Sequence, residues 1–304
     1  MASYVFKRVV QALLTAIFVT VIVFALARLT GDPTLLLLPT EATQQDREFL
    51  RRQLGLEKPL ADQYITFIGH LLQADLGTSF RYRTPALEIV LDRLPATLEL
   101  ALAAMLMATA MAIPLGILAA VRKDSWIDGA VRALASVGQA TPTFWLGLLL
   151  MMIFAVQLHW LPTSGRQGLT HLVLPATTLG LYSAGAIARL TRSSMIDSLK
   201  ADFVKFERLS GVKEWRVVLR HALKNSAIPI LTYMALQFGV LLSGAVVTET
   251  IFAWPGLGML VVDAINVRDY PVVQATVLLT AILILLINLA VDLFYGLIDP
   301  RVRL

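Results

Sequence analysis

Residues 100–121 read LALAAMLMATAMAIPLGILAAV, a run without a single Asp, Glu, Lys, Arg or His. A helix that rises about 1.5 Å per residue needs about 20 apolar residues to cross about 30 Å of hydrocarbon. This run is long enough, and it is apolar on every face rather than along one stripe. Five further uncharged runs lie at 9–27, 133–158, 172–188, 226–248 and 270–291. The shortest, 172–188, is expected to borrow a turn from its flanks. Pro114, Pro142 and Pro175 fall in or at the ends of these runs, which lipid tolerates where neighbouring helices satisfy the freed carbonyls. The pattern predicts an all-α integral membrane protein with six transmembrane helices.

Composition points the same way. Of 304 residues, 57% are hydrophobic and 15% charged, and the mean hydropathy is +0.71. A soluble domain is about 25% charged, so this chain cannot solvate its own surface. With no cysteine, disulfides and thiolate metal sites are excluded. A net charge of +5 would suit nucleic acid or an anionic membrane, and the placement of the charges decides. Lys7, Arg8, Arg122, Lys123, Arg132, Arg301 and Arg303 share one side if six spans alternate. Segment 189–224, on the same side, carries nine basic and four acidic residues. The other side carries 31–95, with nine acidic and seven basic residues, and loops holding Arg166, Asp263, Arg268 and Asp269. Basic residues gather on the cytoplasmic side of membranes. Both termini are therefore expected in the cytoplasm, and the charge is accounted for without nucleic acid.

The first run follows Lys7 and Arg8 and ends in Ala25-Leu26-Ala27, like a signal-peptide cleavage site. It exceeds the about 7–15 residues of a signal core, so 1–30 is expected to be a retained anchor helix. Segment 31–95 reads as extracytoplasmic and helical. After Pro59, residues Leu60, Tyr64, Phe67, Ile68, Leu71 and Leu72 recur at helical spacing. Thr43 and Asp46 form a helix-start signature ahead of Phe49, Leu50 and Leu54. Two amphipathic helices without a core of their own must lie on the bundle or at the membrane interface, or receive a solute-delivering partner. Residues 96–304 are the expected permease domain, with spans at about 98–121, 133–158, 172–190, 226–248 and 270–293.

The polar segment 191–225 between the fourth and fifth spans is too long for a tight turn. Gly211 sits where one short helix ends and another begins. A basic loop of this kind is ordinarily a solvated face. Here Trp215, Val217, Val218 and Leu219 suggest a helix pair at the membrane surface, able to push on a cytoplasmic partner.

The residues of this segment resemble the coupling loop of ABC importer permeases: Asp202-Phe203-Val204-Lys205, Gly211, Arg220-His221-Ala222-Leu223-Lys224-Asn225 and Ile228-Pro229. The dipeptide, oligopeptide and nickel permease branch is the most similar. Its order of motifs is met by Gly31-Asp32-Pro33, Asp75-Leu76-Gly77, Leu94-Pro95-Ala96-Thr97-Leu98-Glu99-Leu100, Trp160-Leu161-Pro162, Arg192-Ser193-Ser194-Met195, Glu249 to Gly258, Arg268-Asp269-Tyr270-Pro271 and Asp299-Pro300-Arg301. The resemblance implies an importer of two permease chains, two ATP-binding subunits and an extracytoplasmic solute-binding protein, with ATP and Mg held by the partners and no cofactor on this chain. It implies an ATPase-coupling loop containing Asp202, Phe203, Val204, Lys205, Phe206, Glu207, Gly211, Val212, Arg220, His221, Asn225 and Pro229. The family's general motif begins Glu-Ala-Ala, often Arg-Thr-Ala in this branch. Here those positions are Lys205, Phe206 and Glu207, and Ser210 replaces a common basic residue.

Candidate pathway or gate residues are Gln237, Ser243, Thr248, Glu249, Trp254, Pro255, Gly256 and Gly258. Pro255, Gly256 and Gly258 break a helix while Ile251, Phe252, Trp254 and Leu257 keep the segment out of water, as in a re-entrant stretch lining a cavity. An interfacial Trp anchor is the alternative for Trp254, and helix–helix hydrogen bonding is the alternative for the polar residues of the fifth span. Asp292 is expected to reach the interface or pair with Arg301 or Arg303. His70, His159, His171 and His221 show no metal-ligand spacing. No His-Glu-x-x-His, Gly-x-Ser-x-Gly or Gly-Lys sequence occurs, so an intramembrane enzyme and a self-contained ATP-driven pump are not expected. A secondary transporter or channel fits hydropathy equally well. The expected solute is a short peptide, with nickel or a metal chelate as the alternative.

Overall fold

The computed structural model describes residues 2–29, 43–53 and 55–298. Gly31-Asp32-Pro33, Leu54, Asp299-Pro300-Arg301 and the side chain of Asp292 lie outside the described residues. The chain divides into two compact units, one of 96–255 with 290–304, the other of 2–95 with 256–289. Among the described residues every element is helical apart from one isolated bridge between Thr78 and Pro85. Five helices among the described residues are long and apolar enough to cross a membrane, and a bent pair makes a sixth if counted as one span.

In the second unit, α1 (Ala2–Leu29) is the N-terminal span. Helix α2 (Gln44–Gln53) starts in a reciprocal capping box. The Thr43 N–H and hydroxyl donate to Asp46 Oδ2 at 3.0 and 2.7 Å, and the Asp46 N–H returns to Thr43 Oγ1 at 3.2 Å. The Thr43 hydroxyl, then its N–H, hold the Asp46 carboxyl below the ordinary carboxylate range. Gln63 clasps the turn that follows, donating to the carbonyls of Leu56 and Lys58. In α3 (Leu60–Leu72) the stripe splits. Tyr64 and Phe67 pack on Phe24 of α1, and the Thr20 and Tyr64 hydroxyls hydrogen-bond at 2.8 Å. Leu60 and Leu72 stay exposed. The amphipathic segment thus rests on α1 through Tyr64 and Phe67. Helix α4 (Ala86–Val121) begins fourteen residues before the run that first marked it, because Ala86 and Val90 are buried against apolar side chains of 257–275.

In the first unit, the uncharged run 133–158 is not one straight helix. It is α5 (Trp126–Ala140) and α6 (Thr143–Leu150), bent by 103° at Thr141-Pro142. Pro142 lacks the N–H to continue the ladder and holds its predecessor extended. A π-helical stretch, Met151–Gln157, completes the pair. Helix α7 (Leu169–Lys200) is the most buried candidate span. Then follow α8 (Asp202–Leu209), the short α9 (Glu214–Arg216), a second π-helical stretch Val217–Ala222, and α10 (Leu223–Ile251). Small residues let backbones approach. A Cβ added at Gly180 would stand 2.6 Å from the Ala104 carbonyl oxygen, and one at Gly116 would stand 2.6 Å from Thr191 Cβ. Helix α11 (Leu257–Asn266) belongs to the second unit, and α12 (Tyr270–Ile298) begins there and runs on past 289.

Candidate functional site

The predicted coupling segment is built from a helix too short to bury itself. In α8 only Val204 is fully buried, while Phe206 and Leu209 are 71% and 88% exposed. Asp202, Phe203, Lys205 and Arg208 are also exposed. The Lys205 ammonium, 2.8 Å from Asp202 Oδ1, holds that carboxyl below its usual range. The helix ends where Gly211 adopts φ +78°. Its N–H bonds Arg208 O and the Val212 N–H bonds Glu207 O, both at 3.1 Å, the paired bonds of a Schellman closure. Glycine takes this φ without the clash a Cβ would bring.

Glu207 faces inward. Its Oε1 lies 2.7 Å from His221 Nδ1 on the π-helical turn, and its Oε2 is buried without a donor. Arg208 reaches forward to Glu214 with contacts of 2.6 and 3.1 Å, joining α8 to α9. The structure thus brings Val204, Glu207, Gly211, Val212 and His221 into one small assembly. It separates the remaining predicted residues. Arg220 is exposed, Asn225 donates to Ser198 Oγ of α7 at 3.0 Å, and Pro229 lies within α10.

The predicted pathway residues fall into different roles. The Gln237 amide donates to Ser183 Oγ at 3.3 Å, and both are buried, so it ties α10 to α7. Ser243 is exposed and donates to its own helix at Gly239 O. Thr248 is fully buried, its hydroxyl without a partner among the described residues. Glu249 is fully buried and accepts from the Thr97 hydroxyl at 2.7 Å. Trp254 is fully buried, which rules out an interfacial anchor. Its indole N–H donates to Ala96 O, and its backbone N–H to Glu249 O, each at 2.8 Å. Pro255 is half-buried beside it. In the other unit, Gly256 is the N-cap of α11 and Gly258 is buried.

Two ionic arrangements were not singled out from sequence. Arg192 of α7 grips Asp128 of α5 through both carboxylate oxygens at 2.5 and 2.6 Å. Asp128 has no exposed surface, also accepts the Asp124 N–H at 3.0 Å, and lies 3.4 Å from Arg132. This network fixes α5 against the part of α7 that leads into α8. Near Trp254, Arg166 reaches Glu99 Oε2 with Nε at 2.8 Å and a terminal nitrogen at 2.6 Å. Its guanidinium carbon lies 5.8 Å from the Trp254 ring centroid. For Glu99 and Arg166 the available signal was a lone acidic or basic residue in each of two stretches otherwise free of Asp, Glu, Lys and Arg. Among the described residues, no group of three His, Asp or Glu is placed to hold a metal ion.

Residues 112–304 match the family of binding-protein-dependent transport system inner membrane components, and residues 1–101 match the N-terminal region of such membrane components. The chain belongs to this family. It is accordingly a permease subunit of an ABC importer, a multi-pass protein of the inner membrane that works with ATPase and solute-binding partners. The permease is 45% identical to the glutathione transport system permease protein GsiC of Salmonella choleraesuis (strain SC-B67), over all of this chain and 99% of that one. It is 42% identical to GsiC of Escherichia coli (strain K12), with the same coverage. Among solved structures it resembles the MetNI methionine ABC transporter in inward-facing conformations, with a TM-score of 0.56 at 17% identity, covering 69% of this chain and 96% of that one. An amino acid ABC transporter solved with histidines gives a TM-score of 0.51 at 16% identity, covering 69% and 94%. At such identities the likeness concerns the fold alone.

Proposed function

We propose that this permease forms half of a pathway for short peptides of the glutathione class and is driven through α8 by a separate ATPase subunit. The observation that carries the solute is the 45% identity with a glutathione permease along the entire chain. In this reading the full importer contains a second homologous permease chain, two ATP-binding subunits holding ATP and Mg, and a solute-binding protein. Both termini and 191–225 are cytoplasmic, as the distribution of basic residues argues. Helix α8 then presents Phe206 and Leu209 outward while Val204 anchors it, the pattern of a short lever that docks by apolar contact.

The test is uptake of radiolabelled glutathione and trialanine by the complete importer in proteoliposomes with its binding protein. Both are expected to be taken up in an ATP-dependent manner. A binding protein that holds chelated nickel and neither peptide would reject the solute. ATP hydrolysis that still rises with loaded binding protein after removal of 202–216 would reject the lever.

A further inference from the structure

We infer that Glu99 and Arg166 form a binding site for the charged ends of a passing peptide, Glu99 taking the ammonium and Arg166 the carboxylate. The inference rests on the peptide reading above. Both contacts from Arg166 land on one oxygen, Glu99 Oε2. Among the described contacts, Glu99 Oε1 and the remaining terminal nitrogen of Arg166 have no protein partner. Both side chains are a little under two-fifths exposed. A pair that served only to fasten the loop would gain from bidentate closure, which this one does not make.

Fastening is already provided nearby. The Gly165 N–H bonds Phe252 O at 3.0 Å, and the Trp254 indole bonds Ala96 O one turn from Glu99. Arg166 would also keep its place when Glu99 is engaged by a ligand, because its guanidinium lies against the buried Trp254 ring. The charged pair is therefore mounted on a rigid floor.

The surface around the pair argues for a pathway rather than lipid. Glu99 shares a face of α4 with Leu102 and Leu106, which are 55% and 71% exposed. That face meets either lipid or a second permease chain. Charged groups facing hydrocarbon are expensive, and those within spans face a bundle interior or a water-filled cavity. A pair of opposite charges with both side chains partly exposed offers one partner to an ammonium and one to a carboxylate, the two charged groups of a zwitterionic solute. A single charge would leave one half of the pair poorly used.

The complete importer in proteoliposomes tests this with radiolabelled trialanine, and with trialanine amide, which lacks the carboxylate, as competitor. Glu99→Gln and Arg166→Gln are each expected to lower trialanine uptake about tenfold at limiting loaded binding protein, the loss of one charge-assisted hydrogen bond. The melting temperature of each variant is expected to stay at the wild-type value. The amide should lose potency in Glu99→Gln and keep it in Arg166→Gln. Arg166→Lys, which keeps the charge, should retain most uptake. Unchanged uptake in either glutamine variant would overturn the site. Equal loss of amide potency in both would do the same, as would a loss that tracks a lower melting temperature. A wild-type importer that takes up no trialanine or glutathione would fail at the peptide reading itself, a result separate from any comparison of variants.

Discussion

His221 Nδ1 stands 2.7 Å from Glu207 Oε1, joining the predicted coupling helix to the π-helical turn that opens the next span. Position 207 is one of three, 205–207, at which the chain departs from the Glu-Ala-Ala and Arg-Thr-Ala patterns. The acidic residue found there is turned inward and has an ionic or hydrogen-bonded partner, while the unusual Phe206 is turned outward. The departure therefore changes how α8 is tied to its own chain at one position and what it offers a partner at the next.

Glu207→Ala is expected to loosen α8 without unfolding the spans. A hydrogen bond to a charged group is worth about 1.5–3 kcal/mol, so amide exchange across 202–209 should quicken more than tenfold while the melting temperature of the complex hardly moves. Exchange unchanged in this segment would mean that the pair contributes nothing to its order.

Phe206→Asp and Leu209→Asp place charge on the exposed face of α8 and disturb no internal contact. Uptake should fall at least tenfold with the permease still folded, and less ATPase subunit should co-purify. Wild-type uptake in both would remove α8 from the coupling path.

Asp128→Ala leaves the buried side of Arg192 without its counter-ion. Removing one partner of a buried pair costs about 3–5 kcal/mol, so a clear fall in melting temperature is expected. Replacing both partners with apolar residues, Asp128→Leu with Arg192→Met, should recover much of that loss. A double variant as unstable as the single would show that the network contributes more than charge compensation.

Gly180→Ala forces a methyl group to within 2.6 Å of the Ala104 carbonyl oxygen, and overpacking of this kind costs about 1–3 kcal/mol. Gly129→Ala, with nothing within 4 Å of its added Cβ, should be neutral or stabilising in its helix. Thermal unfolding of the two variants in detergent gives the comparison, and equal melting temperatures would contradict it.

Gln237→Leu breaks a buried hydrogen bond between helices, a contact that averages about 0.6 kcal/mol in membrane proteins. Uptake and its dependence on trialanine concentration should remain near wild type. A changed half-saturation with unchanged stability would return Gln237 to the pathway.

Hydropathy made the helical, membrane-spanning class legible, because an uncharged run of about 20 residues has few other stable forms. It could not show that 133–158 bends by 103°, since the run is uncharged on both sides of Thr141-Pro142. It also missed the start of α4 at Ala86, where charged Glu88, Asp92 and Arg93 interrupt the run but tertiary packing of Val90 keeps the helix. For the coupling segment, Gly211 was readable as a helix end because a positive φ favours that residue type. The inward turn of Glu207 depends on a partner fourteen positions later and could not be read locally.

By itself the sequence determined the membrane class, the apolar runs, the bias of basic residues and the membership of an importer family, each a property of order along the chain. Tertiary structure alone decided that Trp254 is core rather than an interfacial anchor, that Gln237 ties helices together, and that Glu99 meets Arg166 sixty-seven positions away. Such pairings depend on which faces of separate helices meet, and no periodicity within one segment records its neighbour.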